Sequence, residues 1–267
     1  MNIMTKQRIK QLANNPQFIP DIYNYCDRWC ERCPFTTRCL NFALSEEQFA
    51  EPESRDIYNK LFWQRLSEMF RLTREMLEDT LRMEGIELDA RDREAAKEEE
   101  LLKQQAARQN DCARASKAYG DLVDKWFDEN NEILQEQRQV LRDRLQFDPT
   151  DAACLDKAAG FEDVLEIIRW YQHQIYVKLM RAISGRASEE MFPEDDLPKD
   201  SDGSAKVALI GIDRSISAWM ALRNFLPECK DELIDVLVQL DRLRRQIERD
   251  FPDARSFVRP GFDEIHA

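Results

Sequence analysis

The sequence predicts an all-α protein, a bundle of four to five long helices that carries an N-terminal loop with four cysteines. Glycine is scarce, with 7 residues in 267, and charged residues make up 34% of the chain. Strong helix formers such as Glu, Leu, Arg, Ala and Gln are prominent. Apolar residues also recur at steps of three and four after residue 54, which is helical periodicity. A strand and helix alternation is missing from the sequence, so a bundle is the expected architecture.

The first 53 residues are expected to form a cysteine-rich segment of their own, and residues 54–267 the bundle. Met1–Asn15 is predicted to contain a short helix, which Pro16 and Pro20 end. Four of the seven cysteines follow in one short segment with the spacing C-x3-C-x2-C-x5-C, namely Cys26, Cys30, Cys33 and Cys39.

Four thiols so close together indicate a metal site, because a cation offsets the charge of crowded thiolates. One zinc ion takes a closed shell of four thiolates, and an iron–sulfur cluster is also held by four cysteines. Pro34 follows the third cysteine, as a proline follows a ligand cysteine in bacterial ferredoxins. Tyr25, Trp29 and Phe35 are placed to form an apolar shell around a cluster. The segment therefore narrowly favours a [4Fe–4S] cluster with a redox or sensing role.

Two other interpretations of the cysteines are less consistent with the sequence. The first three, C-x3-C-x2-C, are similar to the cluster motif of radical S-adenosylmethionine enzymes. In those enzymes one iron of the cluster has no cysteine ligand, whereas Cys39 is placed to supply a fourth ligand here. The similarity therefore implies no radical S-adenosylmethionine activity for this chain. A disulfide knot belongs to small secreted domains, and this chain is neither small nor begins with a secretory signal in Met1–Gln11.

Charge and hydropathy restrict the expected location and partners. The formal net charge of −13, from 39 basic and 52 acidic residues, argues against nucleic acid or an anionic membrane as a partner. No apolar run approaches the roughly 20 residues that span a bilayer. We therefore expect a cytoplasmic protein with reduced cysteines, and Cys112, Cys154 and Cys229 are expected to be buried and inert.

A structural zinc ion in an interaction scaffold is the alternative function. In that case a protein partner or a second copy would bind to the weakly apolar arm 91–118 or to a heptad-like track that follows it. The track consists of Val123, Phe127, Leu134, Leu141 and Leu145.

The first two long helices are placed by their end signals. Ser54 is a good N-cap for the first, and Gly85 is a plausible end. The second, 89–146, would be about 85 Å long, so a bend is expected between Asn110 and Asp121, with Gly120 as the favoured point.

The remaining helices are also read from their apolar faces and end signals. Phe161–Ile183 is the most apolar helix and is expected at the centre of the bundle. An acidic, mobile crossover loop is predicted at 185–204, followed by a helix capped by Ser204 and a last helix, Glu228–Asp250. The aromatic residues of the C-terminal tail, including Phe251, Phe257 and Phe262, are expected to pack back onto the bundle.

A less favoured hypothesis is an enzyme that uses one face of the central helix. Glu162, Glu166 and His173 can share that face. Glu166 would be the general base and His173 the proton shuttle. The chain has no Glu-x-x-His pair, which ferritin-like di-iron proteins use, so a structural hydrogen-bond network is the competing interpretation.

Overall fold

The computed structural model describes residues 4–86, 89–191 and 199–264. Within these ranges it is helical and has no β-strand, which confirms the all-α prediction. The described α-helices are α1 Lys6–Ala13, α2 Leu40–Gln48, α3 Pro52–Arg55, α4 Lys60–Met83, α5 Ala90–Gln109, α6 Asp111–Glu129, α7 Asn131–Phe147, α8 Ala152–Met191, α9 Asp200–Phe225 and α10 Lys230–Asp250.

The predicted number of long helices, four to five, is too low, because the expected helix 89–146 is three helices. Asn110 separates α5 from α6 in an extended conformation, and its side-chain oxygen accepts a hydrogen bond from the Cys112 N–H at 2.8 Å. Asn130 separates α6 from α7. The Asn110 side chain stabilises the first break because it satisfies a free N–H of α6, whereas the Asn130 side chain makes no such bond to α7.

Gly120 is not the break point that the sequence suggested. It lies inside α6, where a Cβ atom would stand 3.2 Å from His173 Nδ1 and 3.3 Å from the Gln172 carbonyl oxygen. The glycine therefore allows α6 to approach α8 closely.

The first long helix begins later than predicted. Ser54 lies buried in the short α3, and its hydroxyl donates to the Glu51 carbonyl at 2.6 Å. Helix α4 begins at Lys60, and the Asn59 side chain caps it by accepting from the Leu61 N–H at 3.0 Å. Gly85 follows the end of α4 with a φ of 69°, in agreement with its predicted role as an end signal.

The predicted acidic loop 185–204 is helical at both of its ends. Helix α8 continues to Met191 and α9 begins at Asp200, so Ser204 is a buried residue inside α9 and not its cap. Capping by Glu189 explains the early start, since its carboxylate accepts hydrogen bonds from the Ser201 N–H and hydroxyl at 2.9 and 2.6 Å. The centre of the predicted loop, 192–198, lies outside the described residues.

The chain divides into two compact units. The first consists of residues 1–100 and 258–267, and the second of the continuous stretch 101–257. These bounds differ from the predicted division at residue 54, because the first unit contains α4 and is completed by the C-terminal end of the sequence. No helix in the described ranges is both long and apolar enough to cross a bilayer.

The second unit has a continuous core between α8 and α9. The predicted face of α8 is buried there: Phe161, Ile168, Tyr171, Ile175 and Leu179 are fully inaccessible. Trp219 is also fully buried, and its indole N–H donates to the Tyr119 hydroxyl at 3.0 Å. Most of the heptad-like track, from Val123 to Leu141, is buried in this unit, so it serves this chain's own core.

In the first unit, one apolar face of a long helix is uncovered. Helix α4 exposes 56% of Trp63, 67% of Phe70 and 58% of Leu77, which are spaced seven residues apart. Residues at this spacing lie near the same face of a helix. These residues form the α4 apolar face, whereas Leu72 of the same helix is only 4% exposed. An exposed apolar face of this kind often marks an interaction surface.

Candidate metal centre

Two short 3₁₀ turns shape the cysteine segment. The first, Cys30–Arg32, is closed by a hydrogen bond from the Cys33 N–H to the Cys30 carbonyl at 3.2 Å. The second, Thr36–Arg38, ends at Cys39 in the same way. These turns fold the segment back on itself, so cysteines that are separated in sequence come to line one space.

All four predicted ligands, Cys26, Cys30, Cys33 and Cys39, line a single small pocket, whose cavity volume is about 20 Å³. Each of these cysteines is half-buried. The walls of the pocket are largely apolar and include Ile22, Trp29, Phe35, Phe42 and Phe262. Of the three residues predicted to form such a shell, Trp29 and Phe35 line the pocket and Tyr25 does not.

The thiols interact electrostatically across the pocket. Burial and, to a lesser extent, the neighbouring Cys26 and Cys39 raise the pKa of Cys30 to about 11. Burial also raises the pKa of Cys33, although the Phe35 N–H, which donates to Cys33 Sγ at 3.4 Å, acts in the opposite direction. Thiolates in this pocket therefore disfavour one another, and a bound cation would reverse that effect.

The sulfurs share a pocket without forming a coordination shell. Among the residues that the structure describes, no three His, Cys, Asp or Glu side chains stand close enough together to hold a metal ion. All seven cysteines are free thiols. The donor set nevertheless fits a soft metal, since four thiols from one segment face one apolar space.

The other three cysteines lie in the second unit and are buried as predicted. Cys112 is fully inaccessible, and Cys154 and Cys229 are 2% and 4% exposed. Their thiols contact separate partners, with Cys112 donating to Asp250 Oδ2 at 3.2 Å and Cys229 to Asn130 Oδ1 at 3.4 Å. Burial raises the pKa of Cys112 to about 12, so this thiol stays protonated at neutral pH.

The structure does not gather the three residues of the enzyme hypothesis into one site. Glu162 and Glu166 line an open groove, where Glu162 accepts two hydrogen bonds from Arg138 at 2.7 and 3.0 Å. His173 is not among the residues that line this groove. Its side chain is 70% exposed, and Nε2 lies 3.9 Å from Asp124 Oδ2. This geometry favours surface ion pairs over a catalytic centre.

Sequence reasoning missed several residues of the cysteine pocket, above all Phe262. Phe262 was expected to pack on the bundle, but it lines the pocket from the opposite end of the sequence. The Pro260-Gly261 pair signals a turn before it, yet a contact across more than two hundred residues leaves no periodic pattern.

Comparison of the chain with protein-family models, curated proteins and solved structures finds no match.

Proposed function

We propose that the protein is an iron–sulfur protein with a redox or sensing role, whose cluster is held by Cys26, Cys30, Cys33 and Cys39. The observation that carries the proposal is that four free thiols from one short segment line one largely apolar pocket. A [4Fe–4S] cluster bound there would supply one-electron chemistry. Free thiols and a net charge of −13 favour the cytoplasm and a protein, not a nucleic acid, as partner.

The chain's own residues would tune such a centre in two ways. The Phe35 N–H donates to Cys33 Sγ, and hydrogen bonds to cysteine sulfur shift the reduction potential of a cluster. Trp29, which is 5% exposed, and Phe35 restrict the approach of water, which also affects the potential and the lifetime of a cluster.

Elemental analysis of freshly isolated protein tests the proposal. Protein purified without oxygen is expected to be brown and to contain iron and acid-labile sulfide in equal amounts. A Cys26→Ser/Cys39→Ser double variant, isolated in parallel, is expected to be colourless and free of iron. Colourless wild-type protein with stoichiometric zinc would overturn the redox proposal.

The second candidate is a zinc-stabilised interaction scaffold, and two observations favour it. Cys30 and Cys33 form a C-x2-C pair in a tight turn, which is a common spacing in structural zinc sites. The α4 apolar face is also exposed, and a partner protein would cover it.

Analytical sedimentation distinguishes the scaffold hypothesis from the hypothesis that the protein acts as a monomer without a partner. The scaffold predicts self-association or a stable complex that Phe70→Glu on the α4 apolar face weakens, whereas Phe147→Glu leaves it unchanged. Phe147 is a suitable control because it is 94% exposed and lies on a different helix. A strict monomer that retains no partner would contradict the scaffold.

A further inference from the structure

The C-terminal residues 259–264 belong to the first unit, and Phe262 brings them to the cysteine pocket. We propose that these residues, the C-terminal strap, close over the four thiols and control how readily reagents and competing ligands reach them. Where it concerns a bound metal, the inference rests on the proposed function. The access to the thiols can be measured on the metal-free chain as well.

The aromatic ring of the strap packs on the cysteine segment. Phe262 meets Phe35 edge to face, with ring centroids 5.0 Å apart and an interplanar angle of 80°. Such pairs are stabilised beyond the area that they bury. Phe35 is also the residue whose N–H donates to Cys33 Sγ. Phe262 therefore braces the residue that holds one of the sulfurs in place.

A second contact holds the ring from within the strap itself. The guanidinium of Arg259 lies over the Phe262 ring, 4.8 Å from its centroid. Asp263 accepts hydrogen bonds from the Arg259 backbone N–H, Nε and a terminal nitrogen at 3.0, 3.0 and 2.8 Å. Because both charged side chains are largely shielded, 16% and 22% exposed, this clamp preorganises the strap.

Gly261 lets the strap approach the floor of the pocket. Its φ of 74° suits glycine, and a Cβ atom would stand 2.9 Å from Ile19 Cδ1 and 3.0 Å from Ile22 Cδ1. Ile22 lines the cysteine pocket, so the strap is seated on the same apolar layer as the thiols.

These contacts join a few residues, and opening of the strap therefore requires only local separation and not unfolding of the unit. When Phe262 lifts away, the wall that it forms beside the four cysteines is lost. The rate of any reaction at the thiols should therefore depend on Phe262, although its side chain has no reactive group.

The first test uses reduced, metal-free protein and a disulfide reagent such as dithiobis(nitrobenzoate) at fixed pH. Four thiols should react in a fast phase, while the three buried cysteines of the second unit react slowly. Phe262→Ala should accelerate the fast phase about five- to tenfold, as expected when an aromatic contact of this kind is lost. Phe262→Tyr should restore the wild-type rate, and Phe147→Ala, the same change at an exposed site, should not alter it.

Asp263→Asn provides a second variant that leaves the ring in place. Asp263→Asn weakens the clamp on Arg259 and should accelerate the fast phase by a smaller factor than Phe262→Ala does. It therefore still tests the strap if Phe262→Ala destabilises the whole unit. The proposal for the strap would be overturned if Asp263→Asn reacted at the wild-type rate and Phe262→Ala did so too. It would also be overturned if Asp263→Asn reacted at the wild-type rate and Phe262→Ala lost its folded structure.

The second test uses the metal-loaded protein and measures transfer of the metal to a chromophoric chelator. Phe262→Ala should lose metal about five- to tenfold faster, while the metal content at saturation stays unchanged. If the wild type binds no metal but its thiols are shielded by Phe262, the proposed function fails and the strap stands. If metal binds and Phe262 affects neither rate, the strap fails and the metal centre stands.

Discussion

The two units use cysteine in opposite ways. In the first unit, four half-buried thiols line one pocket, and burial together with the neighbouring thiols raises the pKa of Cys30 and Cys33. In the second, three thiols are at most 4% exposed, and each contacts a different partner. The two sets differ in grouping: each buried thiol of the second unit behaves as a small apolar side chain, whereas the thiols of the first unit share one pocket.

The units also differ in how their apolar surface is covered. The second unit encloses the apolar face of α8 and Trp219 completely. The first unit leaves the α4 apolar face open and has few fully buried side chains, with Ile22 at 2% among them. A unit with so small a core gains more from a metal ion than a unit with a continuous core.

Loss of one thiol from each set gives the largest expected contrast. Cys33→Ser should abolish metal loading, because a four-thiolate shell cannot close with three sulfurs, while Cys154→Ser should retain full metal content. Metal analysis and circular dichroism of both variants make the comparison. Both should keep most of their helix, since α8 and α9 pack without the metal. If chelation of the wild type instead removed helical signal from the whole chain, metal binding and global folding would be one event.

Truncation of Trp219 is expected to have the next largest effect, and it acts on the second unit. The indole is fully buried, donates to the Tyr119 hydroxyl at 3.0 Å and packs edge to face on Trp126. Trp219→Ala should therefore lower the free energy of unfolding by about 3–5 kcal/mol in chemical denaturation. Trp63→Ala, at a 56% exposed position of α4, should change it by less than about 1 kcal/mol. Equal losses in the two variants would contradict the difference in core packing.

The sequence predicted the repeating features of the fold better than its breaks. Periodicity was sufficient for the long helices and for the buried face of α8, because burial of one stripe must repeat along a helix. The start of α4 was predicted at Ser54, whereas the structure places it after Asn59, because both residue types are good N-caps. The sequence also favoured Gly120 over Asn110 as a break, although glycine inside a helix can equally serve close packing.

Only the part of the candidate site that comes from one continuous sequence segment could be predicted. The four cysteines could be grouped by spacing, and the structure places them around one pocket. Phe262 could not be assigned to that pocket, because its contact with Phe35 joins the two ends of the sequence. The run 185–204 was read as a loop from its acidity, yet Glu189 caps α9 at Ser201, which is a use of acidic residues that composition does not reveal.

Alanine substitutions at two helical glycines probe the close packing in the second unit. Gly120→Ala brings a Cβ to 3.3 Å from the Gln172 carbonyl oxygen, which is backbone and cannot move aside alone. A net loss of about 1 kcal/mol is expected, since overpacking outweighs the gain in helix propensity. Gly160→Ala should stabilise by about 0.5–1 kcal/mol, because its nearest neighbour, Phe225, is at an ordinary 3.8 Å. The melting temperatures of both variants test this expectation. If Gly120→Ala were more stable than the wild type, α6 and α8 could separate at little cost in free energy.

The smallest expected effect is at His173, and it bears on the enzyme hypothesis. The imidazole is 70% exposed and 3.9 Å from Asp124, so His173→Ala should change the free energy of unfolding by less than about 0.5 kcal/mol. Glu166→Gln should be equally mild, because it lies on an open groove. Differential scanning fluorimetry with a small-molecule library adds a functional readout. A compound that stabilises the wild type but neither variant would indicate a shared binding site despite the separation of His173 from the groove. Without such a compound, the enzyme hypothesis has no support from these two residues.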